Sequence, residues 1–195
     1  MLIADLGITT YAIREGSKIR SNKDAFAKFA NEVFSINLIS TFVALLLLSI
    51  CMISIDSLYK YKYLLLLLSV NIFTKAIGLE WLFSVYEDFL FITIRTIIFQ
   101  VLSLILLLFF VKTEDDLLRY TLVSLVSSAG INIANWFFSR RYVRVRPIKE
   151  INLFKHIKPI LILFGMSATV TIYVISDTTI LGFLCGDTEV GIYSV

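Results

Sequence analysis

Lys75 sits where a charge is expensive, inside the apolar run LLLLLSVNIFTKAIGLEWLF at positions 64–83. A lysine at the centre of a membrane helix costs about 2.5 kcal/mol or more, and such residues are kept for a use. Its ammonium suits phosphate or carboxylate oxygens. A place about two residues from the middle of the run makes snorkelling to the interface strained. A polar or anionic cavity is therefore the favoured destination, with a snorkelled lysine as the alternative. Asn71 lies one turn earlier on the same face, whereas Glu80 falls about 140° around a continuous helix from Lys75. Glu80 and Arg95 instead flank a short turn, Ser84 to Phe91, where a salt bridge between them would pin the hairpin.

Two further runs carry polar residues inside apolar sequence. Ser124, Ser128, Asn132, Asn135 and Ser139 follow a spacing close to the helical period and line one face. That face either bonds to neighbouring helices or lines a hydrophilic cavity. The last long run, Pro159 to Leu184, holds Ser167, Thr169, Thr171, Tyr173, Ser176, Asp177, Thr178 and Thr179. Asp177 lies about 8 Å beyond its midpoint by helix rise and reads equally as an interfacial acid or a cavity acid.

The residues that support catalysis elsewhere are not arranged for it here. The sequence has no HExxH, GxSxG, glycine-rich phosphate loop or CxxC, and neither a metal nor a cofactor is called for. His156, the one histidine, stands among basic residues and reads as a solvated loop residue. Glu114, Asp115 and Asp116 are the one acidic cluster suited to interface chemistry, and they read better as a solvated turn. Cys51 and Cys185 form no metal pattern and read as two unpaired thiols; a disulfide between them is geometrically possible.

Helices in a bilayer must position all of these groups. The chain has 195 residues, 58% of them hydrophobic, and a mean hydropathy of +0.85, which belongs to a polytopic membrane protein of all-α class. Met1 to Ile13 is too short to span and reads as a helix stub. Arg14 to Glu32 reads as a polar, partly helical loop. Five full transmembrane helices follow at Val33 to Ser54, Tyr63 to Phe83, Phe91 to Val111, Tyr120 to Phe138 and Pro159 to Leu184. Of the 18 lysines and arginines, 13 fall in segments 14–32, 84–95 and 139–158 and four on the other side. That asymmetry places the three basic segments in the cytoplasm. A formal charge of +3, dispersed over the loops, gives no footprint for nucleic acid.

Four stretches together resemble a known family: ADLGITTYAIREGSKIR at 4–20, GLEWLFSVYEDFLFITIRTIIF at 78–99, PILILFGMSATVTIYVISDTTILGFL at 159–184 and VGIYSV at 190–195. They resemble the polysaccharide flippases of the Wzx type, within the multidrug/oligosaccharidyl-lipid/polysaccharide exporter superfamily. The resemblance covers nearly the whole chain, and its most specific block is GxEWxF followed by ITIR. At Ser84 to Tyr86 the sequence departs from the glutamine and glycine usual there.

The resemblance implies a MATE-like bundle of two lobes around a central cavity, of which this chain is expected to be a piece. Residues 1–138 would complete the N-terminal lobe, 139–158 would be the basic inter-lobe linker, and 159–195 would open the C-terminal lobe. It implies translocation of undecaprenyl-diphosphate-linked oligosaccharide across a bacterial cytoplasmic membrane for O-antigen or capsule synthesis. Membrane lipid and other polysaccharide assembly proteins would be further partners. On that footing Lys75 and Arg95 meet the diphosphate, Asn132 and Asn135 contact sugar, and Glu80 or Asp177 couples to protons. A small-molecule exporter of the same superfamily and an integral membrane glycan transferase are the rival readings.

Overall fold

The computed structural model describes residues 5, 7–54, 62–113, 116–148 and 152–193. Glu114 and Asp115, with residues 1–4, 6, 149–151 and 194–195 of the stretches used above, lie outside the described residues. Among the described residues there are eight helices and no strand. They are α1 (Ile8–Ile19), α2 (Lys23–Ser54), α3 (Lys62–Ile77), α4 (Glu80–Val85), α5 (Phe89–Phe110), α6 (Leu117–Ser139), α7 (Leu153–Leu184) and α8 (Asp187–Tyr193). Five stretches are long and apolar enough to cross a membrane: α2, α3 with α4, α5, α6 and α7. The protein is a multi-pass, all-α membrane protein.

The polar segment expected to be partly helical over Arg14 to Glu32 is helical throughout except for the turn between α1 and α2. Ile8, Tyr11, Ala12 and Gly16 of α1 recur at helical spacing and are buried, while Arg14 and Lys18 point outward. Charge density hid this amphipathic pattern from a reading by composition. Asn22 Oδ1 accepts from Ala25 N at 3.1 Å and caps α2, which begins at Lys23, ten residues before the expected span. At 32 residues α2 reaches about 48 Å, well beyond the ~30 Å hydrocarbon core.

The second span is interrupted. Helix α3 ends at Ile77, Leu79 takes a left-handed φ of 45°, and α4 restarts at Glu80. Gly78, beside the break, lets α6 pack close, because a Cβ there would collide with Asn132 Oδ1 and lie 2.9 Å from Asn132 Cγ, and α3 and α4 are separate helices. The angle between Lys75 and Glu80 expected for one continuous helix therefore does not apply. At the end of α4, Asp88 N bonds Phe83 O at 2.9 Å and Glu87 N bonds Ser84 O at 3.1 Å. This is a Schellman closure with Glu87 at φ 59° in the place glycine usually takes. Asp88 then caps α5, accepting from Phe91 N at 3.3 Å.

Buried residues collect at the basic end of the bundle. The core joins Ile8, Tyr11 and Ala12 of α1, Phe26, Phe29, Ala30 and Val33 of α2, Leu79, Trp81, Leu82 and Val85 around the break, and Val143, Val145 and Ile160. Aromatic rings knit it together: Tyr86 stacks on Tyr142 at 4.3 Å and Phe83 on Phe91 at 4.7 Å. Toward the opposite end α2 buries nothing after Thr41, α5 nothing after Arg95, and α7 nothing after Ile160. Their apolar side chains there face outward, as hydrocarbon-facing helices do.

Helix α7 begins at Leu153, six residues before the expected start. His156 and Ile160 share its buried face, and partly buried Leu163 continues it. His156 is thus not a solvated loop residue. It is 0% exposed, with Nδ1 2.7 Å from Tyr11 Oη and Nε2 2.8 Å from Glu32 Oε2. Cys51 and Cys185 are exposed and unpaired.

Candidate functional site

The break in the second span opens a cavity of about 120 Å³. Asp5 and Thr9 reach it from the start of α1, Asn37 and Thr41 from α2, and Ile72, Lys75 and Ala76 from the last turns of α3. Leu79, Glu80 and Trp81 come from the break itself, and Asn132 from α6. Helices α2 and α6 both pack on α3, so the residues that end α3 are the ones gathered around the space.

Polar groups in this cavity differ in how fully they are used. Asn37 Nδ2 donates to Ala76 O at 3.2 Å, taking up a carbonyl freed by the end of α3. Asp5 Oδ1 accepts from Thr9 Oγ1 at 2.7 Å and Thr9 N at 3.3 Å. Thr41 Oγ1 and Trp81 Nε1 are buried and have no hydrogen-bond partner among the described residues. The Lys75 side chain is exposed, lines this space, and its ammonium makes no ion pair or hydrogen bond with a described residue. A free ammonium, two carboxylates of which Glu80 is paired with Arg95, an indole N–H, hydroxyls and two amides thus line one small space, a set that matches a hydroxyl-rich ligand whose charged group meets Lys75.

Glu80 faces the cavity but is tied from behind. Arg95 Nη2 donates to its Oε1 at 3.0 Å, so the hairpin salt bridge expected from the sequence is present. Arg95 is only 4% exposed and lies against the stacked rings of Phe83 and Phe91, 5.8 Å from each. Its Nε and Nη1 have no partner. Arg95 is not among the residues that line the cavity.

The polar face of α6 divides along its length. Ser124 is exposed, Ser128 bonds carbonyls of its own helix, Asn132 enters the cavity, and Asn135 and Ser139 are buried below it. Asn135 is 0% exposed with neither its Oδ1 nor its Nδ2 bonded. Asp177 is exposed on α7 and does not line this cavity. The neighbouring hydroxyls of Thr171, Ser176, Thr178 and Thr179 bond carbonyls of α7 itself. The structure therefore brings Lys75, Glu80 and Asn132 together, sets Arg95 and Asn135 behind them, and leaves Asp177 apart.

Two groups near the site were not anticipated. The Tyr11, His156 and Glu32 network was missed, although the spacing His156, Ile160, Leu163 extends the last span's inner face back past Pro159. Tyr142 Oη donates to Asp88 Oδ2 at 2.6 Å, which fastens the segment after α6 to the turn before α5. Burial, reinforced by the Asp88 carboxylate, pushes this phenol up to about 12.

Neither a search of curated proteins nor one of solved structures finds a match. The family model described as "Polysaccharide biosynthesis protein" matches residues 1–195. An all-α, multi-pass chain with a polar cavity at a broken span is thus matched along its entire length, and it belongs to the polysaccharide biosynthesis protein family.

Proposed function

We propose that the chain is part of a Wzx-type flippase, which carries lipid-diphosphate-linked oligosaccharides across a bacterial cytoplasmic membrane by alternating access. The observation that carries this reading is Lys75, an unpaired cation in a polar cavity at a break in a membrane span. A diphosphate needs a cation, and a sugar needs donors and acceptors that are not already satisfied. Lys75 meets the diphosphate, and Asn132, Thr41 and Trp81 meet hydroxyl groups. Arg95 acts indirectly by holding Glu80, and Glu80 is the carboxylate placed to exchange a proton inside the cavity. The basic segments face the cytoplasm, and the other polysaccharide assembly proteins are its partners.

The reading is of a transporter and not of an enzyme. Asp116, the described member of the acidic cluster, is occupied by its own turn. Its Oδ2 accepts from Lys112 N at 3.1 Å and Thr113 N at 3.2 Å, and its Oδ1 from Arg119 at 2.6 Å. The Lys112 N–H above all holds its carboxyl below the usual range, which suits a structural turn better than acid–base work.

Complementation of a flippase-deficient strain by the full reading frame tests the proposal. Restored surface polysaccharide with the natural sequence, and its loss with Lys75→Ala at equal protein level, is the expected result. Full export with Lys75→Ala would remove the lysine from the mechanism. Failure of the natural sequence while a known flippase restores export would overturn the function.

A further inference from the structure

At the basic end of α6 the chain runs on as SRRYVRVRP from Ser139 to Pro147. After the helix cap at Arg140 and a turn, residues 143–148 carry no helix or strand assignment. Val143 and Val145 are buried in the core, whereas Arg144 and Arg146 are exposed. Burial alternates along the segment, so the two valines are sunk and both arginines stand at the surface. The segment is held at its far end: Arg146 N donates to Asn31 Oδ1 at 2.7 Å and Ile148 N to Ser35 Oγ at 2.9 Å.

The two arginines share a pocket of about 330 Å³ with Arg140, Trp136, Ser139 and Val145. Arg140 lies over the Phe137 ring at 5.6 Å. None of the three arginines forms an ion pair with a described residue, while Arg141 next door reaches Asp88 at 4.0 Å. Three guanidinium groups with no counter-charge among the described residues converge on one concavity and repel one another, and an anion relieves that repulsion. Orienting a protein in the membrane requires only positive charge on one side, not convergence on a pocket. Arginine's fork matches phosphate oxygens in pairs. The pocket lies at the end of a membrane-spanning helix, the level at which lipid headgroups lie, and its indole, Trp136, is of the kind found at membrane interfaces.

We propose that this pocket binds an anionic, phosphate-bearing lipid headgroup at the basic face of the membrane. It is distinct from the cavity at Lys75, sharing no lining residue with it, and does not rest on the flippase reading. The headgroup has two possible sources, a lipid-linked diphosphate or an ordinary anionic phospholipid, and both present the same oxygens to the same forks.

The test measures binding of the full chain in detergent to three probes, inorganic diphosphate, undecaprenyl diphosphate and phosphatidylglycerol, with phosphatidylcholine as the neutral control. Three variants are compared. Arg140→Lys/Arg144→Lys/Arg146→Lys keeps charge and membrane orientation but loses the paired geometry. The same positions changed to Gln lose both. Lys18→Gln/Lys23→Gln/Lys28→Gln removes equal charge from the same side elsewhere. The expected result is binding weakened several-fold by the Lys variant, about tenfold or more by the Gln variant, and little by the control. Undecaprenyl diphosphate bound in preference to phosphatidylglycerol, with inorganic diphosphate competing, assigns the pocket to lipid-linked diphosphate. Equal binding of the two lipids assigns it to anionic phospholipid. Binding that falls equally in the control triple, or is unchanged in the Lys and Gln variants while their thermal midpoints match the natural chain, overturns the proposal.

Discussion

Arg95 and Lys75 show how two cations in membrane spans are put to different ends. Arg95 has a carboxylate partner and two aromatic faces, and it is buried; Lys75 has none of these and faces a cavity. Both were visible in the sequence as charges in apolar runs, and so was the Glu80 to Arg95 pairing. The separation of roles was not, because it depends on which residue the break at Gly78 turns toward the cavity. His156 escaped for a different reason. Its sequence neighbours are basic, and local charge says nothing about partners 124 and 145 positions away. The pair at Glu80 gives a stability prediction. Glu80→Gln leaves the buried guanidinium without its counter-charge, and the half-exposed carboxylate limits the loss by screening to about 1–2 kcal/mol. A lowered thermal midpoint in detergent is expected, with a double-mutant cycle through Arg95→Gln giving a coupling of the same size. Zero coupling would mean that the ion pair contributes nothing to the fold.

At the scale of elements, hydrophobic length located the five spans but could not place their ends. Helices α2 and α7 each run on toward the basic side, carried by buried faces too sparse and too charged to register as apolar runs. The interruption between α3 and α4 was signalled only by Gly78, and a glycine in a membrane helix is common. Its necessity lies in the crossing with α6, where Asn132 occupies the space that a side chain would need. Gly78→Ala is therefore expected to push Asn132 out of the cavity or the two helices apart, at a cost of about 1–3 kcal/mol. Thermal unfolding of the purified chain checks the cost. Full export at natural stability would show that the crossing has slack and that Asn132 is not tightly placed.

For the molecule as a whole, the network of Tyr11, His156 and Glu32 joins the two ends of the chain, holding α7 against α1 and α2. Burial raises Tyr11 above the usual phenol range, with Glu15 and Glu32 adding to the shift, so its hydroxyl stays a donor. With Glu32 ionised, His156 Nε2 donates to the carboxylate while Nδ1 accepts from Tyr11, and a neutral ring satisfies every member. Gly7 reinforces the same joint. Its φ is 70°, and a Cβ there would lie 2.8 Å from Phe164 N, so α1 meets α7 backbone to backbone. Removing only the histidine orphans a buried carboxylate. His156→Leu is expected to cost about 3–5 kcal/mol, whereas His156→Leu with Glu32→Leu recovers most of that because no unpaired charge remains. Thermal midpoints of the two variants decide the matter. A double variant as unstable as the single one would show that shape at this joint, and not the hydrogen-bonded charge, holds α7 to the helices that precede it.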